Sequence, residues 1–232
     1  MYRKFVVDVG GENVTNFIYP AVGKPKATVL FCHGFPGTNR LPKLKNALTE
    51  VGIEIIEINY RGDKASAGKF SFIGSIEDVT KTAEQLRKTR GKLIGLGLSM
   101  GGFYIANAIR NKPGLFDKAL LAIPILDSAE LFANPVMGGL WNVARETISL
   151  ESKEFYEKEM KLVVGKYDPL KFAKELRTPI HLIAAEKDDY NSVGTAMRFF
   201  SELEGEKQLT AIKDAGHDLD GTEKELIDAI TA

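Results

Sequence analysis

Short apolar runs that read as strands recur along the chain, and most of them are apolar on both faces. They are Ala27 to Cys32, Ile53 to Ile58, Lys92 to Leu98, Asp117 to Pro124, Ile180 to Ala185 and Gln208 to Ile212. Runs of this kind belong to strands covered on both sides. Residues Arg3 to Val9 and Val14 to Tyr19 differ: they flank Gly10-Gly11 and predict an antiparallel hairpin at a sheet edge.

Between these runs the period changes to that of a helix. Leu41, Leu44, Leu48 and Val51 form one stripe ended by Gly52, and Phe103, Ala106 and Ile109 form another ended by Pro113-Gly114. Ser75-x-x-Asp78 predicts the start of a helix that buries Val79, Ala83 and Leu86, while Pro169 to Leu176 reads as a short helix. Val193, Met197, Phe200 and Leu203 continue the pattern, and Thr222-x-x-Glu225 predicts a capping box before Leu226, Ile227 and Ile230. Strands alternating with helices imply parallel pairing with right-handed crossovers. The alternation fails between Asp127 and Asp168, about forty residues, which is too long for a simple connection. A helical insertion is expected there. Met137, Leu140, Trp141, Ala144 and Ile148 share one helical face, and Ser152 to Lys161 is a second, highly charged helix.

Composition narrows the function classes. The chain has 232 residues, and its 31 basic and 31 acidic side chains cancel. It therefore carries no overall field for nucleic acid or an anionic membrane, and one large α/β domain accounts for the length. Cys32 is the only cysteine, which excludes an intrachain disulfide and favours a reducing compartment, hence a cytoplasmic protein. Met1 to Gly10 lacks the pattern of a signal peptide, and no run is long enough to span a membrane.

The chemistry centres on Gly97-x-Ser99-x-Gly101, which lies between a buried strand and a helix. A sharp turn there needs small residues around the serine and lifts its hydroxyl above the sheet. A dinucleotide fingerprint beginning at Gly95 would need glycine where Met100 stands, and no phosphate-loop lysine follows. In this stretch the sequence resembles the α/β-hydrolase family, and the resemblance extends over essentially the whole chain. It implies a mostly parallel central sheet with helices on both faces, a small helical cap at about residues 127–167, and Ser99 as a covalent nucleophile.

Further residues follow from that resemblance. His33-Gly34-Phe35-Pro36-Gly37 matches the family's oxyanion turn, so the backbone N–H groups of Phe35 and Met100 are the expected oxyanion donors, and His33 shapes the turn. The loop Tyr60 to Gly68 is similar to one that rims the site in esterase-like members, with Lys64 in place of a glycine. Glu186-Lys187-Asp188 matches the turn that carries the triad acid, which makes Asp188 the candidate, with Asp189 and Asp127 in reserve. Ala215-Gly216-His217 matches the turn of the triad histidine. His181 stands near the start of its strand, away from the edge where open α/β sheets do their chemistry, which leaves His217 as the base. Leu131, Phe132, Met137 and Trp141 on the cap are expected either to line an acyl pocket or to pack the cap onto the core.

The expected activity is hydrolysis of small carboxylic esters with short or medium acyl chains, with no cofactor, no metal and no nucleic-acid or membrane partner. The same triad serves thioesterases, peptidases and lactone hydrolases, and a ligand-binding module can retain the fold.

Overall fold

The computed structural model describes residues 2–37, 40–135, 137–219 and 221–231. Eight strands form one sheet in the order β1-β2-β4-β3-β5-β6-β7-β8. The hairpin of β1 (Arg3–Val9) and β2 (Glu12–Tyr19) sits at one edge, and β2 runs antiparallel to β4 (Ile53–Glu57). From β4 onward all pairings are parallel, through β3 (Ala27–Cys32), β5 (Leu93–Leu98), β6 (Lys118–Ala122), β7 (Ile180–Ala185) and β8 (Lys207–Ile212).

Alternate residues of these strands feed two separate cores, as a period of two requires. Val29 and Phe31 of β3, with Ile94, Leu96 and Leu98 of β5, face α1 (Pro42–Glu50) and α9 (Glu223–Thr231) through Leu44, Leu48, Leu226 and Ile230. Leu30, Cys32 and Leu93 point the other way. They join α2 (Phe72–Arg87), α3 (Met100–Asn111) and α8 (Val193–Glu202) through residues such as Val79, Phe103 and Phe199. Both faces of the sheet are therefore helix-covered.

Three helices, rather than two, occupy most of the connection from β6 to β7: α4 (Ser128–Ala133), α5 (Met137–Thr147) and α6 (Lys153–Lys166). The helical reading of Pro169 to Leu176 resolves into the single turn α7 (Pro169–Phe172) and a 3₁₀ turn over Ala173–Glu175.

The start of α2 differs from the sequence expectation. Ser71, extended at φ −144° and ψ 133°, is the N-cap and accepts from the Gly74 N–H at 2.8 Å. Ser75 already lies inside the helix, where its hydroxyl donates to the Ser71 carbonyl at 2.8 Å. Asp78 is committed to Arg61 instead of a cap, accepting from its Nε at 2.7 Å and its backbone N–H at 2.8 Å. Thr222 likewise turns its hydroxyl back onto the Leu219 carbonyl, at 2.7 Å.

Candidate active site

Ser99 occupies the turn between β5 and α3 with φ 54° and ψ −119°, a conformation that costs energy for a residue with a Cβ. Backbone bonds hold it there. Its N–H donates to the Ala122 carbonyl at 2.9 Å, and its carbonyl accepts from Gly102 at 2.9 Å and Ile125 at 3.2 Å. The flanking glycines are required by crowding: a Cβ on Gly101 would stand 1.9 Å from the Cys32 carbonyl oxygen, and one on Gly97 would stand 2.5 Å from the Gly102 Cα.

The turns after β7 and β8 meet beside this serine because the two strands are parallel neighbours ending at the same sheet edge. Lys187 N–H donates to the Ala215 carbonyl at 2.9 Å, tying the turns together. Asp188 and His217 project from them. Ser99 Oγ lies 2.8 Å from His217 Nε2, and His217 Nδ1 lies 2.8 Å from Asp188 Oδ1. The same carboxylate oxygen accepts from the Tyr190 N–H at 2.8 Å and the Asn191 N–H at 3.1 Å. An oxygen that accepts this way makes Nδ1 the protonated ring nitrogen, leaving Nε2 to accept from the serine hydroxyl. Asp188 is 2% exposed and His217 20%, so the acid is sealed while the imidazole reaches a cavity. The Tyr190 ring lies on that imidazole with centroids 4.4 Å apart.

Phe35 and Met100 line the same cavity as Ser99. Met100 is the first residue of α3, so its N–H has no acceptor within the helix. Gly34 packs against the serine, where a Cβ would come within 3.0 Å of Ser99 Cβ. Behind the turn, His33 is 1% exposed, its Nδ1 2.9 Å from the Gly34 carbonyl and its Nε2 3.1 Å from Asp63 Oδ2. The chain of charge continues through Arg40, 3.4 Å from Asp63 and 3.1 Å from Glu57, to Lys45, which also bonds Glu57. Burial alone would raise the Asp63 carboxyl. The hydrogen bond and charge of His33, then those of Arg40, outweigh it and hold the group below the usual carboxylate range.

The cavity has a volume of 510 Å³. Among the expected cap residues, Leu131 lines it. Phe132 and Trp141 stand elsewhere: Phe132 packs edge-on to Phe72 at 6.4 Å and Trp141 packs on Tyr156 at 5.3 Å, and both sit against the main core. The Met137 side chain lies outside the described residues. Leu140 and Val143 of α5 line the cavity instead, together with Phe72, Ile125 and Tyr190. Leu140 shares the expected stripe and, like Trp141, Ala144 and Ile148, packs against the main core, but of these four it alone also lines the cavity. Val143, 43% exposed in the structure, lies outside that stripe, so the helical period carried no signal for it.

Other expectations resolve structurally. Asp127 caps α4, accepting from Ala129 and Glu130 N–H groups at 3.0 and 3.3 Å. His181 bonds Thr210 Oγ1 at 2.9 Å at the start of β7, and burial lowers its pKa. Asp189 lines the cavity but does not hold the histidine. The loop after Tyr60 is anchored by Arg61 to Asp78 and by Gly62 to Ser149, and its residues are not among those lining the cavity. Burial pushes the Cys32 thiol well above its ordinary range, so it is an inert core residue. Among the described residues no group of His, Cys, Asp and Glu could hold a metal ion, and no helix is long and apolar enough to cross a membrane.

Residues 23–154, more than half the chain, match the family model described as serine aminopeptidase, S33. The chain belongs to this family of α/β-hydrolases. A second model, described as PhoPQ-activated pathogenicity-related protein, matches residues 140–232. This α/β-hydrolase superposes on Est1E of Butyrivibrio proteoclasticus, a structure with bound ferulic acid, at TM-score 0.77 and 13% identity, covering 97% of this chain and 96% of that one. An esterase of Pyrococcus furiosus gives TM-score 0.77 at 16% identity, over 100% of this chain and 89% of the other. A puromycin-hydrolysing peptidase of Mycobacterium tuberculosis gives 0.76 at 19%, over 99% of this chain and 39% of that longer chain. At such identities the likeness establishes a shared fold.

Proposed function

We propose that the protein is a serine hydrolase that cleaves carboxylic esters of short or medium acyl chains through an acyl-enzyme. The observation that carries this reading is the unbroken hydrogen-bond chain from Ser99 Oγ to His217 to Asp188, in two steps of 2.8 Å, at the wall of a cavity. Serine is a weak nucleophile at neutral pH, so His217 Nε2 takes the hydroxyl proton as Oγ attacks the ester carbonyl. Asp188 keeps the imidazole in the tautomer this requires and stabilises the cation that forms. The N–H groups of Phe35 and Met100 receive the developing oxyanion. His217 then returns the proton to the departing alcohol, and water activated by the same ring releases the acid.

A fluorophosphonate probe and a chain-length panel of 4-nitrophenyl esters test the reading. Labelling at Ser99 and loss of both labelling and turnover in Ser99→Ala are expected. Folded wild-type protein that stays unlabelled would instead indicate a ligand-binding module. The family description as a serine aminopeptidase motivates one rival, peptide hydrolysis. Aminoacyl anilides and thioesters therefore belong beside the esters, and an anilide turned over as well as the best ester would replace the esterase reading with a peptidase.

A further inference from the structure

We propose that Tyr190 is a positioning residue for the general base: its ring, lying against the face of His217, holds the imidazole in its working orientation and stabilises the cation that forms there during attack. The inference rests on the roles proposed for Ser99 and His217. In the attack the Ser99 Oγ–C bond forms, the π pair of the carbonyl moves onto its oxygen, and the hydroxyl proton passes to Nε2. The imidazole therefore becomes a cation as the barrier is crossed. A group that favours this cation over the neutral ring raises the rate.

The two bonds of the imidazole leave one motion of the ring unopposed. Nε2 meets Ser99 Oγ at 2.8 Å and Nδ1 meets Asp188 Oδ1 at 2.8 Å, the two bonds leaving the ring in different directions. Together they set an axis across the ring, and rocking about that axis stretches neither bond at first. Tyr190 blocks the rocking. Its ring centroid lies 4.4 Å from that of the imidazole with 39° between the planes, so the contact is on the face and both nitrogens keep their partners. By contrast His33, which moves no proton in this mechanism, meets Tyr60 at 63°, close to the edge-on arrangement that neutral rings prefer. The face of an aromatic ring carries negative potential, so a contact there favours a cation. The tyrosine is itself held by the acid. Its N–H donates at 2.8 Å to the same Asp188 oxygen that holds His217, and Asn134 Nδ2 donates to the Asp189 carbonyl at 2.8 Å. That carboxylate oxygen is shared with the Asn191 N–H as well, which divides its pull on the new cation, and the ring adds to it.

Tyr190→Phe and a series of mono-, di- and trifluorinated phenylalanines incorporated at the same position test the proposal, because fluorine withdraws charge from the ring face and barely changes the ring's size. Deacylation repeats the same proton transfer, so kcat reads it whichever step limits. With 4-nitrophenyl butyrate, Tyr190→Phe should stay within about threefold of wild type, and kcat should then fall stepwise by about tenfold to the trifluorinated ring. Tyr190→Leu, which keeps bulk without a π face, should lose about as much as the trifluorinated variant. The rate of fluorophosphonate labelling at Ser99 should follow the same order, and the melting temperature should not. Rates that stay flat along the fluorine series, or that fall only in step with melting temperature, would overturn the inference while hydrolysis by the wild type kept the esterase reading intact. If the wild type is labelled but hydrolyses no ester, the esterase reading falls and the labelling rates along the series still decide this one. Wild-type protein that is neither labelled nor active would remove both together.

Discussion

Glu159 on α6, in the insertion between β6 and β7, holds the first turn of α2 through Ser71: its Oε1 accepts from the Ser71 hydroxyl at 2.5 Å while its Oε2 accepts from the Phe72 N–H at 2.7 Å. The glutamate is 6% exposed, and burial raises its pKa despite these bonds. A carboxylate there satisfies donors that a helix start leaves open and complements the positive end of the dipole. It also fixes Phe72, which forms part of the cavity wall. The helical insertion between β6 and β7 and the start of α2 are thus joined by a polar latch beside the cavity.

Removing that latch should cost stability. Glu159→Ala leaves a buried N–H without its acceptor and is expected to lower the free energy of unfolding by about 2–3 kcal/mol in urea titrations. Glu159→Gln, which keeps one accepting oxygen, should lose about half as much. Equal stability of wild type and the alanine variant would mean that water replaces the carboxylate at no cost.

The choice between candidate acids has a sharp kinetic signature. Asp188→Asn keeps the shape but disturbs the tautomer of His217, and should cut kcat by about 10⁴. Asp127→Asn touches only the N-terminus of α4 and should leave turnover within about twofold, since asparagine caps helices nearly as well. A larger loss of kcat in the Asp127 variant would reverse the assignment.

Two glycines predict opposite outcomes. Gly101→Ala forces a methyl group into the Cys32 carbonyl, backbone that cannot yield without parting β3 from the elbow, so soluble folded protein is not expected. Gly139, inside α5, has nothing within 4 Å of its would-be Cβ. Its replacement by alanine should stabilise the fold by about 0.5–1 kcal/mol in calorimetry, through the better helix propensity.

The parallel strands were legible because burial on both faces leaves an unmistakable signature: β3, β5 and β7 are apolar at nearly every position and are buried throughout. The meeting of residues 99, 188 and 217 follows from chain order, since each sits just past the C-terminal end of a strand in the parallel part of the sheet. What escaped sequence reading depends on tertiary partners. Ser71 is hidden between Phe70 and Phe72, so its capping role shows only once Gly74 and Glu159 are seen around it. Asp78 looked like a helix-start acid because its partner, Arg61, lies 17 residues upstream. The cap stripe marked a buried face correctly at Trp141 and Ala144, but which apolar side chain faces a cavity and which faces the core is decided by helix orientation, which periodicity does not encode.

Asp78 should make stability depend on pH in a direction opposite to the usual carboxylate. Burial drives its pKa from 3.8 to about 6 against the opposing pull of Arg61. With the folded value above the unfolded one, the folded state binds the proton more tightly. Its contribution is fully present below about pH 4 and is lost as pH rises through about 6, roughly 3 kcal/mol in all. Asp78→Asn lacks the titration, so the stability of wild type relative to this variant should decline between those limits; a difference that stays flat from pH 4 to pH 7 would show that the folded state holds the Asp78 proton no more tightly than the unfolded chain does.

Asp63 and His33 supply a prediction about rate. A trans peptide places its carbonyl and the following N–H on opposite sides, so His33 Nδ1, by holding the Gly34 carbonyl at 2.9 Å, sets the direction of the Phe35 N–H. Asp63 in turn orients His33. Asp63→Asn replaces a charged acceptor with a weaker one and should let the turn drift without removing any group that touches substrate. The expected result is a loss in kcat of about tenfold, below the 10²–10³ that follows from deleting an oxyanion donor, with KM little changed. Binding of a transition-state analogue such as a trifluoromethyl ketone should weaken in proportion. A variant with lower melting temperature but unaltered kcat would assign the His33–Asp63 pair to stability alone.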